Sequence, residues 1–332
     1  MIPSALTEAL HCALAQHVPP FVWGACGIGK SDIIREFAAS LKYNFVDIRA
    51  VLLDSVDLRG LPRIDGDMTR WVPPEFLPRD GEGILFLDEL TSAPQMVQAA
   101  CYQLVLDRRL GEYVLPEGWQ IIAAGNPPAE RGVHFAMPRP LQNRFWHLTL
   151  EPDLTDWCRW AIHHNVRPEL IAFLRFRPQL LHAADLASGV NAWPTPRSNV
   201  MASRILEAWL ARHTDLDPLL LQLLEGAIGS AAAGEFYSFL HLFRNLPSTD
   251  EILLNPSSAR LPQNDPSASF AIATALGRAI NDRNIDKAAV YLDRMEPEFH
   301  VLAMRDASAR DNAITSTKTF VNFGVRFGDL VA

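Results

Sequence analysis

The sequence predicts an α/β domain built on a parallel sheet covered on both faces, followed by an all-helical domain. Three observations carry that prediction. Short apolar runs alternate with helical patterns as far as residue 152; beyond it the strand signal stops and only 3.6-residue periodicity remains. A G-x-x-x-x-G-K-S segment joins the first apolar run to the helix after it. Buried apolar strands alternating with helices are the pattern a sheet packed on both faces requires.

Residues 1–18 read as an amphipathic helix with Leu6, Leu10, Ala13 and Leu14 on one stripe. The apolar runs at 19–25, 44–50, 84–90, 119–126 and 145–151 read as strands, and 31–41 and 94–107 read as helices between them. Residues 54–83 are rich in Pro, Gly and charge, and long insertions of this kind are commonly functional loops. Their Trp71 and Phe76 either grip a client or pack the loop onto its own domain. The divisions expected are an α/β domain over 1–152, a helical domain over 153–246, a Pro-, Ser- and Asn-rich linker over 247–269 and a C-terminal extension over 270–332, which opens with a helix across 270–295.

The chain has 332 residues, enough for two domains at roughly 150 each. At 48% apolar and 20% charged it cannot be a disordered or collagen-like chain. Thirty-eight acidic against 30 basic residues leave a net charge of −8, which counts against a protein whose main task is coating nucleic acid. Cys12, Cys26, Cys101 and Cys158 form no C-x-x-C pair, as expected of reduced thiols in a cytoplasm. Neither a leader peptide nor an apolar run of membrane-spanning length is apparent.

The phosphate loop is Gly24-Ala25-Cys26-Gly27-Ile28-Gly29-Lys30-Ser31. The glycines let successive backbone N–H groups face one anion, and the helix N-terminus adds partial positive charge. Lys30 is placed to reach the β- and γ-phosphates of ATP, and the Ser31 hydroxyl to ligate Mg²⁺. The second element is ILFLDEL, which sets Asp88 and Glu89 at the carboxyl end of a buried strand. Ligands bind at that edge in open α/β sheets. There Asp88 would hold Mg²⁺ and Glu89 would act as general base on water. Asn126 ends another apolar run before Pro127 and Pro128, and is either a site residue or a turn-forming Asn. Arg144 precedes Phe145 and Trp146 and could simply cap a helix; Arg131 and Arg139 are its rivals as a site arginine. Arg197 follows Pro196 near a helix start, where a cation opposes the helix dipole.

In this order the motifs resemble those of the AAA+ ATPases, and of the MoxR-like branch in particular, over about residues 1–245. The resemblance implies a P-loop NTPase core with a helical lid. It assigns Asn126 as sensor 1, Arg144 as an arginine finger acting on a neighbouring subunit and Arg197 as sensor 2. Asp57-Leu58-Arg59-Gly60 matches the branch's D-L-x-G segment, and residues 107–119 match its hairpin before sensor 1. The loop departs from the common Pro-Pro-Gly-Thr, with Ala25-Cys26-Gly27-Ile28 instead, which removes no backbone N–H. Asn143 stands where an acid or Ser often precedes the finger. The resemblance further implies a homo-oligomeric ring, a hexamer, that remodels a protein client with a von Willebrand factor A (VWA) domain partner. Two other readings stay open: a nucleic-acid-associated subunit of the McrB or helicase-loader type, and an ATP-binding scaffold with little turnover.

Three features are set aside as structural. His163 and His164 diverge by about 100° on a helix and cannot share one metal. Trp157 and Trp160 share a helical face and read as core. Cys26 fits its loop as a small residue with a free backbone, without need of a redox role.

Overall fold

The computed structural model describes residues 1–128, 135–183, 190–262 and 265–331, and divides into two compact units, Met1–Pro152 and Asp153–Ala332.

The first unit runs α1 (Pro3–Ala15), β1 (Pro20–Trp23), α2 (Lys30–Ser40), β2 (Asn44–Arg49), α3 (Ser55–Arg59), β3 (Leu61–Asp65), β4 (Met68–Val72), β5 (Gly83–Asp88), α4 (Gln95–Asp107), β6 (Arg109–Leu110), β7 (Tyr113–Val114), β8 (Trp119–Gly125), α5 (Arg139–Gln142) and β9 (Trp146–Thr149). Five strands form one parallel sheet in the order β2-β5-β8-β1-β9. All six residues of β5 are buried, and alternate side chains leave on opposite faces. Ile84 and Phe86 join Val22, Ile122 and Ala124 under α1 and α2, where Leu6, Leu10, Ile34 and Phe37 close the core. Leu85 and Leu87 join Phe21, Ile121 and Ala123 under α4, against Val97, Cys101 and Leu104. The sheet is therefore covered on both faces, the α/β P-loop core of the AAA+ fold.

Residues 54–83 contain more structure than the loop expected from composition. The Asp54 backbone N–H donates to the Asp57 carboxylate at 2.8 Å and starts α3. After it, β3 and β4 pair as an antiparallel hairpin around Gly66, whose φ of +63° suits a tight turn. Gly60 is required at the hairpin's base: its φ is +81°, and a Cβ there would lie 1.9 Å from the Val72 carbonyl oxygen. Trp71 and Phe76 are both exposed. The expected second hairpin is present as β6 and β7.

The second unit holds α6 (Leu154–His163), α7 (Pro168–Phe176), α8 (Pro196–Leu210), α9 (Pro218–Ile228), α10 (Ser230–Arg244), α11 (Thr249–Leu254), α12 (Pro266–Ala279), α13 (Ile285–Leu292), α14 (Pro297–Arg310) and α15 (Lys318–Val331). Side-chain caps set several starts: Asp153 accepts from Asp156 N, Thr195 from Ser198 N, and Asp265 from Ser267 N. Trp157 is buried in the core of α6–α10 and Trp160 packs against it, while His163 and His164 are exposed. Within 247–269, expected as linker, Ser248 caps the short helix α11 by accepting from Glu251 N at 3.1 Å. The single helix expected over 270–295 is broken at 280–284. There the Asn281 side chain accepts from the Arg283 and Asn284 N–H groups, and the Asn284 side chain accepts from Asn281 N–H and donates to the Ala279 carbonyl at the end of α12.

The C-terminal helices are not a free extension. Ala271 of α12 belongs to the core of α6–α10, while Ile272, Ala273 and Leu276 of the same helix face a second core with Tyr291, Met304 and Phe327. A buried ion pair fastens the two groups of helices. Arg175 of α7 donates to Asp306 of α14 at 2.6 and 2.7 Å and to Thr274 of α12 at 2.8 Å. Burial alone would lower the Arg175 pKa; the hydrogen bonds and charge of Asp306 more than offset it and raise it. Gly277 allows the helices to meet, since a Cβ there would sit 2.7 Å from Asp306 Cβ. Among the described residues no helix is long and apolar enough to cross a membrane.

Candidate functional site

The strand order explains why distant motifs converge. The phosphate loop leaves β1, Asn126 leaves β8, and Asp88 and Glu89 leave β5. These are consecutive strands of the sheet, with their carboxyl ends on one edge. Asn126 thus lies between the loop and the carboxylates.

The loop curls into α2 through Gly27 and Gly29, with φ of +78° and +94°, and Gly29 is the N-cap of the helix. Ile28 is not merely a link in the loop. Its side chain is buried with Leu148 and Leu150 and lies over Gly24, where a Cβ would come within 2.5 Å of Ile28 Cδ1. The loop is therefore pinned to the core from beneath, while Cys26 at its crest is exposed and Ala25 half-buried. Lys30 is 9% exposed; its ammonium donates to the carbonyls of Gly24 and Ala25 at 2.6 and 3.0 Å and to Asn126 Oδ1 at 2.8 Å. That contact brings the predicted sensor to the lysine expected to bind phosphate.

Ser31 Oγ donates to Asp88 Oδ2 at 2.7 Å, and the Glu89 N–H donates to Asp88 Oδ1 at 2.9 Å. The hydroxyl and carboxylate expected to share Mg²⁺ are thus adjacent, and the oxygen donor set suits that hard cation. Among the described residues no cluster of three His, Cys, Asp or Glu side chains could hold a metal, but a site completed by phosphate oxygens and water needs none. Glu89 is exposed and holds φ 54° and ψ 33°, a left-handed backbone that is uncommon outside glycine. This turns the chain sharply after the strand, so that Asp88 stays buried while the next carboxylate faces solvent.

Arg139 opens α5 and Arg144 follows it. Both are exposed, and neither guanidinium has a side-chain partner among the described residues. Arg131 lies outside the described residues. Arg197 sits exposed in the first turn of α8, in the second unit. The set brought together at the sheet edge is therefore Gly24 to Ser31, Asp88, Glu89 and Asn126. The residue that sequence reasoning passed over is Thr91, fully buried behind Glu89 against Gly125. No pattern in LDELTSA marks it, because its contact is made across strands.

A family model for the AAA domain of the dynein-related subfamily matches residues 19–145. No curated protein matches the chain. Solved structures that resemble it include NtrX from Brucella abortus in complex with ADP, at 16% identity over 99% of this chain and 68% of that one, with a TM-score of 0.43. A Thermotoga maritima RuvB variant matches at 14% identity over 98% of this chain and 86% of that one, with a TM-score of 0.39. The family match begins just before β1 and ends one residue before β9, so it takes in the whole sheet-edge site and Arg144 but not Arg197. The stretch from 19 to 145 is therefore similar to an AAA domain, and its parallel sheet with helices on both faces is the fold of a P-loop AAA+ core.

Proposed function

We propose that the protein is a Mg²⁺-dependent, ring-forming ATPase of the MoxR-like type, a hexamer, that remodels a protein client together with a VWA-domain partner. The observation that carries the reading is the Lys30–Asn126 and Ser31–Asp88 pairing beside Glu89 on one sheet edge. Lys30 and the loop N–H groups bind the phosphates of ATP. Mg²⁺, held by Ser31 and Asp88, would neutralise charge on those phosphates. Glu89 takes the proton from water, and Asn126, hydrogen-bonded to Lys30, orients that water. Arg144, exposed and without a side-chain partner among the described residues, serves a neighbouring subunit's site, and Arg197 in the helical unit couples nucleotide to motion. The client and the VWA partner rest on the motif resemblance alone.

The test is ATP turnover per subunit across protein concentration, for wild type, Glu89→Gln and Arg144→Ala. Turnover per subunit should rise with concentration. Glu89→Gln should lose about 100-fold or more, and Arg144→Ala about 1,000-fold. Arg144→Ala should also poison mixed rings. ATP binding with turnover that is absent, or flat in concentration, would replace the motor with a nucleotide-gated scaffold.

A further inference from the structure

Three features meet at Thr91, in the turn Leu90–Ser92 directly after Glu89. Its side chain is completely buried and pressed onto the end of β8: a Cβ on Gly125 would lie 2.6 Å from Thr91 Oγ1 and 2.8 Å from its Cγ2. The turn approaches the strand this closely only because Gly125 has no side chain. The Thr91 carbonyl accepts from the Phe135 N–H at 2.8 Å, at the start of the segment that leads through Pro138 into α5 and Arg144. Finally, the Thr91 hydroxyl is buried and has no hydrogen-bond partner among the described residues.

A buried hydroxyl left unpaired is destabilising, and valine would fill the same shape without that cost. Threonine here is accounted for if the site has a second arrangement in which the hydroxyl is bonded. The position of the turn says what such an arrangement would serve. Glu89 precedes it, Asn126 follows the glycine it touches, and the segment toward Arg144 hangs from its carbonyl.

We propose that Thr91 is a positioning residue for ATP hydrolysis. It sets Glu89 against the strand end that carries Asn126, links both to the Arg144 segment, and pairs its hydroxyl only when the site is engaged for hydrolysis. It touches no reacting atom, and it rests on the reading of this domain as an ATPase.

The test uses the full chain with Thr91→Val and Thr91→Ser, reading ATP affinity, KM, kcat and the thermal midpoint. Thr91→Val should raise the midpoint and leave affinity and KM within about two-fold, while kcat falls about ten-fold or more. Thr91→Ser, which keeps the hydroxyl and loses the methyl, should return kcat to within about three-fold of wild type. Wild-type kcat in Thr91→Val would overturn the proposal, as would a loss of affinity and kcat in step with a lowered midpoint. Should Thr91→Val not fold, Thr91→Ser decides, since a ten-fold loss there would show that packing rather than the hydroxyl matters. A wild type that binds ATP without turning it over removes the ATPase reading itself, and the proposal with it.

Discussion

Glu89, the proposed general base, sits on a strained backbone. Its left-handed backbone, φ 54°, costs a non-glycine residue about 1–2 kcal/mol. Glycine adopts that conformation freely but loses more entropy on folding. Glu89→Gly should therefore stabilise the first unit by about 0.5–1 kcal/mol while abolishing turnover, and urea denaturation beside an ATPase assay reads both. A destabilised variant would show that the turn carries no strain. Lys30, Ser31, Asp88 and Asn126 were legible in the sequence because each lies in or at the end of a local pattern. The left-handed turn at Glu89, the anchoring of Ile28 beneath Gly24 and the Thr91–Gly125 contact were not. Those depend on which strands become neighbours, and no short window of sequence encodes that.

At the scale of elements, the docking of α15 is tied to pH through one buried histidine. His300 of α14 is buried beneath α15, with the Phe323 and Phe327 rings 5.4 and 5.1 Å away. The Asp293 carboxylate oxygen lies 3.3 Å from His300 Nδ1 and accepts from Arg326 of α15 at 2.6 Å. Burial holds the His300 pKa below its ordinary value; Asp293 opposes that shift and Arg326 reinforces it. Above about pH 6.5 the ring is neutral whether the helix is docked or not. As pH falls through that value the unfolded chain takes the proton more readily, so stability declines toward the lowered folded pKa. The protection of α15 amides, measured relative to their intrinsic exchange rates, should hold from pH 8 to about 6.5 and fall below it, and His300→Phe should flatten the dependence. An unchanged profile in His300→Phe would assign the effect elsewhere. The sequence pattern found the sheet strands and most helices, since apolar period is local. It ran α12 into α13 because Asn281 and Asn284 act as caps only once their side chains turn back on the backbone.

For the whole molecule, the pair Arg175–Asp306 decides how the second unit holds together. Both side chains are under a tenth exposed. Removing one leaves the other charged and unpaired in the interior, so Asp306→Ala should cost about 3–5 kcal/mol by chemical denaturation. The double replacement Arg175→Met with Asp306→Leu should recover most of it, because apolar pairs of similar volume often serve as well. A loss under about 1 kcal/mol in Asp306→Ala would mean that water reaches the arginine. The two partners lie 131 residues apart in the chain. During synthesis, α7 therefore leaves the ribosome long before its counter-ion does, at a rate of roughly 5–20 residues per second. Until α14 arrives, the arginine has to stay in water and the side of α12 that packs against α14 stays open. The second unit thus completes its core only after α14 has been made. A stalled or prematurely ended message would release a helical fragment with apolar surface exposed, a natural substrate for chaperones and proteases.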